Sequence, residues 1–180
     1  MSDDLVTLRP VLEADLPLFE VFLTDPESAG EFSWTGWRDP RLWRRRWEES
    51  ALLGDEGGAL VVAAGAEGLG FVAWRKVPAW GGAYHWNIGV QLLPQACGKG
   101  AGTEAQRQLV AYLFAHSPVV RIEADTETGN LAEQRALEKA GFTREGVSRS
   151  VNFRDGEWRD GVRYSILRSD SAVPGSVLDR

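Results

Sequence analysis

Apolar and polar residues first alternate at Val6-Thr7-Leu8-Arg9, so "VTLRPV" is read as an opening strand. Asp15 as a cap and Pro17 in the first turn predict a helix over about 16–24, and a second short helix is predicted over about 40–50. The apolar runs "ALVVAAG" and "GLGFVAWRKV", parted by Gly65-Ala66-Glu67-Gly68, form a hairpin pattern. Tyr84 to Leu93 is strand-like. Residues 103–116 carry Ala105, Leu109, Tyr112 and Leu113 on one helical face. "VVRIEADT" has the pattern of a buried strand, "NLAEQRALEKAGF" that of a helix closed by Gly141, and "EWRDGVRYSIL" ends the sheet. The predicted order is strand, two helices, three strands, helix, strand, helix and two strands. Hairpins precede a single strand–helix–strand crossover, which predicts an α+β fold with a mixed sheet and disfavours a doubly wound one.

Composition narrows the function classes. The chain has 180 residues, 43% of them hydrophobic, and residues 1–168 are expected to form one domain, with "SDSAVPGSVLDR" (169–180) a disordered tail. No run approaches the ~20 apolar residues that span a bilayer. The opening "MSDDLVTLRP" lacks the basic and apolar regions of a secretory signal. One cysteine and two histidines argue against disulfides and a His/Cys metal site. A cytoplasmic protein without structural metal and without a membrane partner is therefore expected. A net charge of −6 disfavours nucleic acid. Arg41, Arg44, Arg45 and Arg46 are read as a solvated helix face anchored by Trp43 and Trp47 at i,i+4. Trp34 and Trp37 belong to the same tryptophan-rich stretch and are candidate walls of an acceptor pocket.

The stretch "LLPQACGKGAGT" sets Gly98, Gly100 and Gly102 between a strand and a helix. Such a turn presents backbone N–H groups and a helix N-terminus to an anion, typically phosphate. A P-loop requires Ser or Thr after the lysine, whereas Lys99 is followed by Gly100. The dinucleotide fingerprint requires a different glycine spacing at a first strand, although Glu123 lies at a suggestive distance.

With its surroundings the stretch resembles the Gcn5-related N-acetyltransferase (GNAT) superfamily, in its ribosomal-protein-alanine acetyltransferase branch. The similarity runs from about Leu8 to Leu167. It is most specific in "NIGVQLLPQACGKGAGTEA" and in "TGNLAEQRALEKAGFTREG". The resemblance implies a mostly antiparallel sheet of six to seven strands with splayed central strands, and acetyl-CoA as co-substrate without metal. It implies that Gly98, Lys99, Gly100, Ala101, Gly102 and Thr103 cradle the pyrophosphate, that backbone near Val90 and Leu92 holds the pantetheine, and that the Asn130 amide binds it too. The acceptor is expected to be a small-molecule amine or a protein N-terminus, and a homodimer stays open. A noncatalytic acyl-CoA sensor, or a transferase of another acyl group, fits the same features.

Catalytic residues follow the pattern less closely. Relatives place a glutamate where this chain has Asn87, and an amide cannot take a proton. Strict alternation puts His85, Asn87 and Gln91 on one strand face and Trp86, Ile88, Val90 and Leu92 on the other. His85 is therefore the expected general base, with Glu31 as the alternative. Where relatives carry an acid for the leaving thiolate this chain has Leu137 and Glu133, and Glu133 serves only if burial raises its pKa. Cys97 stands at the loop position usually held by Arg or Gln and is expected to be a quiet thiol.

Overall fold

The computed structural model describes residues 5–170, so the expected tail lies outside the described residues from 171 onward. The strands are β1 (Val6–Arg9), β2 (Leu53–Gly54), β3 (Gly57–Ala64), β4 (Glu67–Pro78), β5 (Tyr84–Leu92), β6 (Arg121–Glu127), β7 (Thr143–Arg154) and β8 (Glu157–Leu167). The α-helices are α1 (Leu16–Thr24), α2 (Pro26–Ala29), α3 (Leu42–Ser50), α4 (Ala101–His116) and α5 (Leu131–Lys139). The strands form one sheet ordered β1-β3-β4-β5-β6-β8-β7, with β2 paired to β3. Eight strands replace the predicted six to seven because the two-residue β2 is too short to leave a periodic signal. The β3–β4 turn is also tighter than expected. Gly65, at φ +56°, allows a two-residue turn and leaves Glu67 and Gly68 in the strand.

Only β5 and β6 run parallel, and they pair over just Trp86–Ile88 and Ile122–Ala124. Beyond these residues β5 stays with β4 as far as Leu92, while β6 stays with β8 as far as Glu127. The sheet thus opens into a wedge after Ile88, and the expected splay is present.

Period-two alternation divides the core between the two faces. Leu60, Val62, Val72, Trp74, Trp86, Ile88, Ile122 and Tyr164 pack under α4 and α5 through Leu109, Leu113 and Leu137. On the other face Val61 and Phe71 meet Leu16, Phe19 and Phe22 of α1, and Trp43 and Trp47 of α3 pack against them. The Trp47 indole N–H donates to the Val11 carbonyl at 2.9 Å. Arg44 pairs with Glu13 and Arg45 with Asp39, so local acids neutralise much of the basic run. Over β5, β6 and β8 the second face is polar, carrying His85, Asn87, Glu123, Asp125, Arg163 and Ser165. Among the described residues no helix is long and apolar enough to cross a membrane.

Candidate functional site

Two cavities adjoin along β5, where the wedge begins. One, of about 600 Å³, lies in the mouth of the wedge; Val90, Gln91 and Leu92, the glycine turn, residues 27–33 and the start of α5 line it. The other, of about 850 Å³, opens on the α1/α3 face, with Asn87, Ile88 and Gly89 on its floor. One strand separates them, and Gly89 and Val90 mark the change from one to the other.

The glycine turn owes its shape to residues without side chains. Gly98 (φ +73°) and Gly100 (φ +86°) are left-handed, and a Cβ built on either meets nothing within 4 Å. Gly100 is the N-cap of the 16-residue α4 and makes no side-chain capping bond, so the first helical N–H groups remain available at the groove. Gly102 and Thr103 also line it. Lys99 and Ala101, expected in the same cradle, do not line it. Lys99 is exposed away from the lining, and Ala101 is buried because α4 begins there, two residues earlier than the apolar pattern suggested.

Asn130 caps α5, its Oδ1 accepting from the Glu133 N–H at 3.2 Å. Its Nδ2 has no partner among the described residues and borders the groove. Glu133 follows in the first turn of α5, part-buried, with its carboxyl pushed up to about 7 by burial. The Gln106 amide donates to it at 2.6 Å and only partly offsets that rise. The condition that sequence placed on Glu133 is therefore met.

His85 lies on the predicted face but lines neither cavity. Its Nε2 is 3.1 Å from Glu123 Oε2, at an angle that makes no hydrogen bond, and is buried without a partner. Glu123 is itself 5% exposed and held by Arg121 at 2.7 Å. The difference is position along the strand: His85 lies before the Trp86–Ile88 stretch that pairs with β6, over Glu123, whereas Asn87, two residues on, reaches the larger cavity. Asn87 donates to Asp125 Oδ2 at 2.9 Å, and Arg163 donates to Asp125 Oδ1 at 2.9 Å. Sequence reasoning missed Asp125, although its spacing of two from Glu123 placed it on the same strand face.

Glu31 lines the smaller groove and approaches Arg154 at 3.8 Å. Arg154 is buried, holds Glu127 through two 2.9 Å bonds and stands 5.4 Å over the Phe32 ring. This contact fastens the loop after α2 to the far strand of the wedge, and it holds the Glu127 carboxyl below the usual range. Trp34 and Trp37 meet edge to face at 5.9 Å on that loop, but neither lines either of these two cavities and Trp37 is 80% exposed. The aromatic side chain that reaches the larger cavity from the helices is Trp43 instead, whereas the Trp74 indole packs under α4 beside Tyr112. Cys97 is exposed at the groove, with Sγ 3.5 Å from the Leu93 carbonyl oxygen.

Known proteins resemble this chain in sequence and in fold. Residues 6–143 match the family described as "Acetyltransferase (GNAT) domain". Aminoglycoside N(6')-acetyltransferase type 1 of Klebsiella pneumoniae is 31% identical over 161 residues, covering 81% of this chain and 78% of that protein. The probable N-acetyltransferase YjcK of Bacillus subtilis (strain 168) is 44% identical over 73 residues, which cover 41% of this chain but only 40% of YjcK's own length. A crystal structure of spermidine N-acetyltransferase from Vibrio cholerae in complex with CoA and spermine has the same fold. Its TM-score is 0.76 at 18% identity, covering 92% of this chain and 96% of that one.

Proposed function

Since the chain belongs to the GNAT acetyltransferase family, we propose that it transfers the acetyl group of acetyl-CoA directly to a primary amine in a ternary complex. The observation that carries this reading is the junction at β5: a groove with an anion-binding turn and a second cavity meet across one strand.

The groove suits the coenzyme. Gly98 and Gly100 leave open the space a Cβ would fill, and the uncapped start of α4 offers donors and a positive dipole end to a pyrophosphate. Past Ile88 one edge of β5 has no strand partner, so its backbone at Val90 and Leu92 is available to an extended pantetheine as an added strand would use it. The free Nδ2 of Asn130 supplies a further donor.

The larger cavity suits a cationic acceptor. Glu49, Asp55, Glu56 and Asp125 outnumber Arg46 and Arg75 in its lining, beside Trp43. We assign it to a small amine with more than one positive charge; the names of the aminoglycoside and spermidine enzymes point the same way. Asp125, fixed by Asn87 and Arg163, orients the ammonium near the junction, and the amine proton leaves to solvent before attack. Positioning of the two substrates supplies much of the acceleration, and Glu133 is the proton source for the departing thiolate.

Thiol release from acetyl-CoA, followed across diamines, polyamines, aminoglycosides and a peptide N-terminus, tests the reading. Turnover with multiply charged amines is expected. Coenzyme binding with no turnover on any amine would favour the noncatalytic sensor.

A further inference from the structure

Gln106 presents a problem of hydrogen bonding that the reaction as described does not use. It lies on α4 and is 1% exposed; its Nε2 donates to Glu133 Oε1 at 2.6 Å, yet its Oε1 is buried with no donor. An amide oxygen left unpaired in a protein interior is costly, and native structures rarely tolerate one. Glu133 reaches the amide from α5, across the interface between the two helices that frame the groove.

The unpaired oxygen has a donor if Glu133 carries a proton. A carboxylic acid and a primary amide are complementary: the amide N–H donates to one carboxyl oxygen while the acid O–H donates to the amide oxygen. We propose that Glu133 stands in the groove as a neutral acid paired with the Gln106 amide in this two-bond arrangement, and that Gln106 is a positioning residue for its proton. This rests on the acetyl-transfer reading only for its consequence, not for the pairing itself.

The surroundings favour the neutral form. Charged or titratable groups bordering the same groove are Arg135 and Lys139 on α5, Glu27 and Glu31 near α2, and Cys97 before α4. None of them forms an ion pair with Glu133 among the described residues, and on α4 the nearby Arg107 approaches Glu104 at 3.7 Å. Burial is the leading influence on the carboxyl, raising it to about 7. A neutral acid also keeps a negative charge out of a groove that must admit a polyanion.

During transfer the amine nitrogen bonds to the acetyl carbon and gives up its surplus proton to solvent, and the carbon–sulfur bond breaks. The Glu133 O–H then gives its proton to the sulfur. The carboxylate left behind keeps the 2.6 Å bond from Gln106 Nε2, and solvent returns the proton. One amide thus serves both protonation states.

The test uses coenzyme-free protein with ¹³C in the terminal carbons of Glu and Gln side chains. The Glu133 and Gln106 resonances are expected to titrate together with a midpoint about 7. Glu133→Gln, which mimics the neutral acid, should fold, abolish both titrations, lower kcat and remove its basic limb, with coenzyme Kd retained. A Glu133 midpoint in the ordinary carboxylate range, or a Gln106 resonance that stays flat while Glu133 titrates, overturns the pairing. Joint titration with an unchanged kcat profile in Glu133→Gln overturns the donation step. Failure of wild-type protein to bind coenzyme would instead refute the function, since the pairing is read without it.

Discussion

Glu133→Gln should stabilise the folded protein, and only above a definable pH. In the unfolded chain the carboxyl ionises at its ordinary value of about 4.5, whereas in the fold it ionises at about 7 because the site is poorly hydrated. Below about pH 4.5 both states hold the proton and the group contributes no difference. Between these values the unfolded state loses its proton first, so stability falls as pH rises, and the loss is complete above about 7. At about 1.4 kcal/mol per pH unit the displacement amounts to about 3 kcal/mol. A glutamine of the same shape has no proton to lose and can offer its own N–H to the orphaned Gln106 oxygen. Urea unfolding of coenzyme-free wild type and variant should therefore agree near pH 4.5 and diverge by up to about 3 kcal/mol at pH 8, or ~6–12 °C in Tm for a chain of this size. Other titrating groups cancel in the comparison. Parallel stability curves for the two proteins would mean that Glu133 is hydrated and ionised in the fold. A variant more stable but slower would locate the cost of keeping an acid in the groove.

Gly100→Ala should raise coenzyme Kd at least tenfold, because its methyl projects into the open cradle, whereas Gly65→Ala, with a similar positive φ and open surroundings, should not; both should lose a comparable ~1–2 kcal/mol of stability to left-handed backbone. Calorimetric titration that finds equal coenzyme affinity in the two variants would remove the pyrophosphate from this turn. Cys97→Ser should keep coenzyme affinity and turnover within tenfold, since the exposed thiol contributes only a carbonyl contact; a larger loss in steady-state kinetics would give the thiol a role. Arg121, 2.8 Å from Glu145, holds that carboxyl down to about 2, so its stabilisation is present above about pH 4.5 and is lost as pH falls toward 2, opposite in sense to Glu133. Glu145→Gln should flatten this acid limb in denaturation curves, and an unchanged limb would show that the pair is too exposed to matter.

Most of the fold was legible because it rests on period. Alternation along β5 and helical spacing of Leu109 and Leu113 are local signals, and both survive into the structure. The short elements were not legible: β2 and α2 have two and four residues, fewer than one period of helix or strand pattern can establish. Among the site candidates, the glycine turn and Asn130 carry readable signals because their backbone duties, a left-handed turn and a helix cap, demand particular residue types. His85 has the expected face but lines neither cavity, because alternation gives the side of a strand and says nothing of which positions along it a cavity reaches. Gln106 and Glu133 are 27 residues apart and meet only through helix packing. Either alone reads as an ordinary helix polar residue. Trp34 and Trp37 differ for a related reason: aromatic content marks a surface worth burying, but of the tryptophans in that stretch it is Trp43 that the fold brings to the larger cavity.

The departure of β6 from β5 gives the arrangement its chemistry. Where the two strands pair, the polar face above them is occupied by its own charges: Glu123 is shared between Arg121 and Arg163. A substrate there would have to displace those partners and leave buried charge uncompensated. Beyond Ile88 the far edge of β5 has no strand partner and its backbone polar groups require others. The coenzyme arm can meet that need without breaking any existing bond. At the same residues Gly89 puts no side chain on the α1/α3 face, where a Cβ would find nothing within 4 Å, so an amine can approach from the larger cavity. Arg154 joins Glu127 at the end of β6 to the Phe32 ring, and Gln91 of β5 donates to the Ala29 carbonyl at 3.3 Å, so the α2 region is tied to both strands of the wedge. In the proposed reaction donor and acceptor therefore meet where the sheet is locally incomplete, beside a polar network that leaves no room for either over Glu123.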